Sequence, residues 1–284
     1  MEPSASKTAA LVTAYRARAT ERGDKVCDDP WAAAFTTEEG RALARRFDEA
    51  FPACELWIAL RTAFLDDLTV RLMGTGVSQV VVLGAGFDTR AARLRRPDLG
   101  EDRRVEFYEV DHPATQTEKL RRLSKLEGYP VEAARYVGCD FERQDFLEKL
   151  VAAGFSIEQP ALILWEGVTY YLTEEVVRAT LRRIAGACSR DSVVAFDLVR
   201  KKLVTGKVRD PADMAPVEVV ADLGEPLRFG TDDVLPLLHQ EGYRYVRAVS
   251  FDEICLAKTG TYERARAFRF QHLAVASPGT PVLA

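Results

Sequence analysis

Four short strand candidates in this 284-residue chain each end beside an acid. The run 79–83 (QVVVL) leads into Gly84, Ala85, Gly86 and Asp88. The run 105–110 (VEFYEV) holds Glu109 and leads into Asp111. A third run at 135–137 precedes Cys139, Asp140 and Phe141, and a fourth at 161–165 (ALILW) precedes Glu166 and Gly167. One acid at a strand end is ordinary, whereas four on one rim form a constellation. Glycines at 84 and 86 remove side chains, so a ligand can touch the backbone. An acid after the second strand can accept both ribose hydroxyl protons. Asp140 can bind the amino group of adenine while Phe141 covers the ring. The chemistry these residue types describe is the holding of a nucleoside.

The glycine loop narrows the kind of nucleoside. A dinucleotide fingerprint calls for a third glycine where Thr89 stands. Asp88 also places a negative charge where a pyrophosphate would lie. Both features disfavour NAD or FAD, and with them an NAD-dependent oxidoreductase. They suit a cationic sulfonium with an amino-acid tail and no phosphate, namely S-adenosyl-L-methionine (SAM). A non-catalytic SAM-binding protein is a further class, which the intact set of acids disfavours.

Such a rim needs strands that run the same way. Continuous apolar runs suit parallel strands buried on both faces. Between them lie helical stretches at 89–96, 114–126, 144–153 and 173–187, and a fifth strand is expected at 192–198. This alternation predicts an α/β fold: a Rossmann-like, doubly wound, mostly parallel sheet with an antiparallel strand at one end. Residues 1–76 read as a helical N-terminal cap. Its clearest helix spans 54–73, with Leu56, Leu60, Phe64, Leu68 and Leu72 on one stripe. Residues 77–284 form the SAM-binding core. Within it, 199–226 carries three prolines and little periodicity, and reads as an inserted loop or cap element on the substrate side. A helix is expected at 231–240, final strands at 243–251 and 266–275, and a frayed tail at 277–284.

Bulk properties exclude several alternatives. The formal net charge of -4 gives no general attraction to nucleic acid or an anionic membrane. No apolar run approaches the roughly 18 residues a membrane span needs, and the N-terminus has no signal-peptide core. Five scattered cysteines read as reduced thiols in a cytoplasmic protein. Three histidines without ligand spacing point to no bound metal.

With these motifs in place, the chain resembles the leucine carboxyl methyltransferase family, which includes bacterial polyketide carboxyl methyltransferases. The matching segments are VVVLGAGFDTR (80–90), FYEVDHP (107–113), residues 119–123, CDF (139–141), WEGVTYYL (165–172) and GEPLRFG (224–230). DDPWA (28–32) and RTAFLD (61–66) also match. The resemblance implies that Arg61 pairs with the SAM carboxylate. It implies that Gly84, Ala85, Gly86 and Asp88 wrap the amino-acid end, that Asp111 holds the ribose, and that Asp140 with Phe141 holds the adenine. Glu166 would face the amino-acid or sulfonium end. Tyr170, Tyr171 and Arg90 are the candidates for the acceptor pocket.

The remaining residues read more plainly. Arg93, Arg95 and Arg96 suggest a solvated helix face, and Trp57 and Trp165 core aromatics. His239 and His272 read as structural and His112 as incidental, while Cys139 reads as a small buried hydrophobe. Methyl transfer needs an aligned nucleophile and exclusion of water. A carboxylate acceptor is ionised at neutral pH, whereas a phenol benefits from a base. No compelling histidine base appears in the motifs. The expected reaction is therefore O-methylation of a carboxylate, on a small natural product or a peptide C-terminus. A hydroxyl or phenol acceptor is the alternative, and the oligomeric state is not encoded in any motif.

Overall fold

The valine-rich runs do pair as parallel strands. The computed structural model describes residues 7–23, 26–95, 105–141, 143–261 and 266–282. Five strands are parallel: β1 (Gln79–Leu83), β2 (Glu106–Asp111), β3 (Ala134–Gly138), β4 (Ala161–Trp165) and β5 (Val193–Val199). With β6 (Tyr245–Ser250) and β7 (Gln271–Ser277) they form one sheet of order β3-β2-β1-β4-β5-β7-β6. β7 runs antiparallel to both of its neighbours. Every residue of β1, β4 and β5 is buried, as strands covered on both faces must be. The order reverses between β1 and β4, so the carboxyl ends of these strands flank a topological switch point, where open α/β sheets bind ligands.

Alternation along the strands sorts side chains into two layers. Val80 and Val82 join Leu162 and Leu273 in a core shared with the N-terminal helices. Val81, Leu83 and Ile163 face the opposite layer, with Leu181 and Ile184 of α8 (Glu174–Ala187). The N-terminal helices are α1 (Lys7–Glu21), α2 (Ala32–Phe35), α3 (Glu38–Ala50) and α4 (Cys54–Gly74). Leu11, Phe47, Ile58 and Leu65 from these helices lie in the same apolar cluster as the sheet. Residues 7–74 thus roof one face of the sheet. Thr37 caps α3 by accepting from the Gly40 amide, and Thr173 caps α8 by accepting from the Val176 amide.

The remaining crossovers are α5 (Arg90–Leu94), α6 (Pro113–Leu123) and α7 (Phe146–Ala152). Residue 96, the expected end of α5, lies outside the described residues. On α4, Leu60 and Leu68 are buried, but Leu56, Phe64 and Leu72 are only half-buried. Ile58, Arg61 and Leu65 are buried as well, because α4 is covered both by the sheet and by other helices.

Elements of the second half depart from their expected bounds. Segment 199–226, expected as an inserted loop or cap element, holds short helices. It contains α9 (Lys201–Val204) and α10 (Ala215–Asp222), with a 3-10 turn at Pro211–Met214. Pro211 and Pro216 sit in first turns, where a missing N–H costs nothing. After α11 (Val234–Gln240), the expected strand at 243–251 is β6, but α12 (Phe251–Thr259) follows it at once, capped by Ser250. The strand expected at 266–275 begins as a 3-10 turn and becomes β7 only at Gln271. Nor does the chain fray at 277. Ser277 is fully buried, and its hydroxyl accepts from the amides of Gly279 and Thr280.

Candidate functional site

A cavity of about 810 Å³ opens over the carboxyl ends of β1, β2, β4 and β5, a size typical of small-molecule sites. Its floor is the glycine loop with Gly84, Ala85, Gly86 and Asp88. Asp111, Phe141, Glu166, Tyr170 and Tyr171 also line it, and Arg61 reaches it from α4. The loop needs its glycines. Gly84 has φ +67°, and a Cβ there would collide with the Val168 side chain. Gly86 has φ +51°, and its Cβ would come within 3.3 Å of Ala9 on α1.

Asp111 locks this loop to β2. One carboxylate oxygen accepts from the Gly86 amide at 2.5 Å, the other from the His112 amide at 2.6 Å. Burial raises the Asp111 pKa, against the pull of those two amides. His112 is not incidental. Its Nδ1 accepts from the Ala114 amide and caps α6, and Pro113 follows as the first helical residue.

Behind the floor lies a buried chain of alternating charges. Arg61 donates from Nε to Glu166 at 2.8 Å and from Nη1 to Asp197 at 2.6 Å. Its Nη1 also meets the Tyr170 hydroxyl at 3.3 Å, and its guanidinium lies 4.9 Å from the Trp57 ring centroid. The other Glu166 oxygen pairs with Arg90 at 2.7 Å. Arg90 also pairs with Asp88 and, at 2.7 Å, with Asp66 of α4. Asp66 then bonds Arg93 at 2.6 Å, and Asp29 lies between Arg93 and Arg16. Arg16 closes the chain on the Phe87 carbonyl at 2.5 Å. Burial alone would raise the Asp88 and Glu166 carboxyls. The arginines outweigh it, holding Asp88 down at about 2 and Glu166 below its ordinary value.

The structure brings most of the expected residues together. Arg61 is no surface charge, being 1% exposed. Arg90 is completely buried and absent from the cavity wall. The expected acceptor contact at Arg90 is therefore replaced by a clamp that ties the glycine loop and β4 to α4. Arg93 likewise belongs to the buried chain and not to a wet helix face. Asp140 stands off the wall, with its carboxylate 3.7 Å from Arg143, while the adjacent Phe141 lines the cavity. Trp57, expected in the core, lines the cavity.

Asp197 was not singled out in the sequence, although an acid inside the apolar run SVVAFDL is a signal. It accepts from Arg61 and from the Gly167 amide at 2.7 Å, and its carbonyl receives the Thr169 hydroxyl at 2.5 Å. Lys119 and Glu109 form a second support. The Lys119 ammonium donates to Glu109 and, at 2.6 Å, to the Asp88 carbonyl.

Burial pushes the Glu109 carboxyl up to about 7, against the attraction of Lys119. A carboxyl raised on folding contributes stability that is complete below its unfolded pKa, near 4.3, and is lost as pH rises through 7. Glu109→Gln, which cannot ionise, should therefore show a flatter decline in melting temperature between pH 5 and 8 than the parent chain. Parallel declines in the two proteins would contradict this assignment.

The arrangement fits SAM. The loop leaves room for backbone contact, the acids offer counter-charge to a cation, and the Nη2 of Arg61 lies beside Gly167 at the cavity edge. The fold and site together define a Rossmann-like methyltransferase of the SAM-dependent class. The sequence profile for "Leucine carboxyl methyltransferase" matches residues 9–185. The chain belongs to that family. A "Putative S-adenosyl-L-methionine-dependent methyltransferase" of Mycolicibacterium gilvum is 33% identical over 256 residues, covering 85% of this chain and 78% of the relative. A protein of the same description from Mycobacteroides abscessus is 29% identical over 226 residues, covering 76% and 74%. In fold, the chain is similar to a DUF574 family protein from Streptomyces avermitilis, with TM-score 0.65, 13% identity and coverage of 94% and 96%. A "putative methyltransferase" from Thermobifida fusca gives TM-score 0.64 at 15% identity, covering 98% and 97%. Among the described residues no helix is long and apolar enough to cross a membrane.

Proposed function

We propose that the chain transfers the SAM methyl group to a carboxylate oxygen of an organic acid, giving a methyl ester. Bound SAM supplies a methyl carbon on a positively charged sulfur that departs as a neutral thioether. The protein has to hold the acceptor in line and keep water out. In this reading Asp111 takes the ribose hydroxyls and Phe141 covers the adenine face, and both line the cavity. Asp88, Glu166 and the Arg61 guanidinium, which all line the cavity, in this reading surround the amino-acid end of SAM. Tyr170 and Tyr171 meet edge to face, 4.7 Å between centroids, and in this reading border the acceptor.

The state of the titratable groups on the wall carries this reading. Burial raises the Tyr15, Tyr170 and Tyr171 phenols above their ordinary value, so they stay protonated and are poor bases. His112 is held at the ribose end by its cap on α6. A carboxylate arrives ionised and needs no base, whereas a phenol does. Glu225 favours the second reading. It lines the cavity, takes a hydrogen bond from the Thr8 hydroxyl, and is the group a hydroxyl acceptor would recruit.

Transfer of a labelled methyl group to a panel of carboxylic and phenolic acceptors separates the two. Alkali releases labelled methanol from a methyl ester but not from an ether. Alkali-labile product on acids alone is expected. Alkali-stable product on phenols would overturn the carboxylate assignment.

A further inference from the structure

The cavity, about 810 Å³, extends between the roof and segment 199–226. Leu11, Phe47 and Phe51 come from α1, α3 and the turn before α4, and Val217 and Val220 from α10. Leu11, Phe47, Phe51 and Val220 are buried core side chains. Two side-chain contacts link the N-terminal helices to the segment 215–225. Arg46 of α3 pairs with Asp222 of α10 at 2.7 Å, and Thr8 reaches Glu225.

A peptide end would bring an N–H and a C=O with each residue, and each would need a partner in this chamber. Aliphatic and aromatic walls offer few. They instead favour removal of an apolar body from water.

Gln271 interrupts the apolar wall. It is the first residue of β7 and lines the cavity at 8% exposure. It pairs with Val199, while Asp197 pairs with Leu273 two residues on. Residues two apart on a strand share a face, as do residues directly opposite across an antiparallel pair. Gln271 is therefore on the α4 side of the sheet, where Asp197 meets Arg61. Its Oε1 is buried without a hydrogen-bond partner, and so is Nε1 of the lining residue Trp57. Buried polar atoms are nearly always paired in native proteins, so such atoms on two residues that line the cavity point to a ligand group.

Resting on the reading of the site as a carboxyl methyltransferase, we propose that the acceptor is a low-molecular-weight acid with an aliphatic or aromatic body and one internal polar group. Gln271, with Trp57, is the specificity determinant that receives that group. The acceptor class is an amphiphilic acid and not a peptide C-terminus.

The test is calorimetric binding to the full chain saturated with S-adenosylhomocysteine. The probes are decanoic acid, 3-hydroxydecanoic acid and a tetrapeptide with a free C-terminal leucine. The two fatty acids should bind at least tenfold tighter than the peptide. The hydroxylated acid should exceed decanoic acid, and Gln271→Leu should remove that preference while leaving affinity for S-adenosylhomocysteine intact, which also certifies its fold. Equal or tighter binding of the peptide, no binding of either acid, or a hydroxyl preference unchanged in Gln271→Leu would each overturn the proposal. Binding is read without turnover. Acids that bind but yield no ester would sink the carboxyl reaction and spare the acceptor class.

Discussion

Replacing Arg90 by leucine is expected to cost about 3–5 kcal/mol of folding stability, the range for breaking a buried ion pair by removing one partner. The guanidinium is fully buried and serves Asp88, Asp66 and Glu166 together. Removing it leaves Glu166 with Arg61 and Asp66 with Arg93, but takes from Asp88 the nearest of its countercharges. Asp88 would then be driven toward protonation by burial, and the glycine loop would lose its tie to α4. Urea unfolding should show a lower midpoint with little change in slope. A loss below about 1 kcal/mol, the range of an exposed pair, would contradict the clamp.

The second large effect is expected at Asp111. Two ribose hydroxyls donating to one carboxylate are charge-assisted bonds worth about 1.5–3 kcal/mol each. Asp111→Ala should therefore weaken binding of S-adenosylhomocysteine by roughly 100-fold or more, at about 1.4 kcal/mol per tenfold. The same carboxylate holds the Gly86 and His112 amides, so some of that loss would come through the loop. Asp111→Asn keeps one acceptor oxygen and should fall between the two. Affinity unchanged in the alanine variant, measured by calorimetry, would remove Asp111 from the site.

Much of the sheet and rim was legible because each strand end couples two independent signals. A continuous apolar run marks a strand buried on both faces, and the residues just past it mark what faces the ligand. That is why Gly84, Gly86, Asp111, Phe141 and Glu166 are legible as rim residues in the sequence, and all line one cavity. The signal failed where a charge is spent inside the protein. In sequence Arg90 reads as an acceptor contact and Arg93 as a solvated arginine, because their partners Asp66 and Asp29 lie on distant segments. Asp197 is masked by the apolar run around it, since nothing in that run says that Arg61 crosses from α4 to meet it. Period-based reading also stumbled at 199–226. α9 has four residues and α10 eight, too short for a 3.6-residue rhythm to emerge. Helix α12 follows β6 without any loop, so the turn residues that usually announce a change of element are missing.

The most direct test of the central claim, that this rim holds SAM, is parallel calorimetric titration of the full chain with S-adenosylhomocysteine and NADH. Saturable micromolar binding of S-adenosylhomocysteine with no heat from NADH is the predicted result. Binding of NADH without S-adenosylhomocysteine would contradict the account and return Gly84–Asp88 to the dinucleotide class.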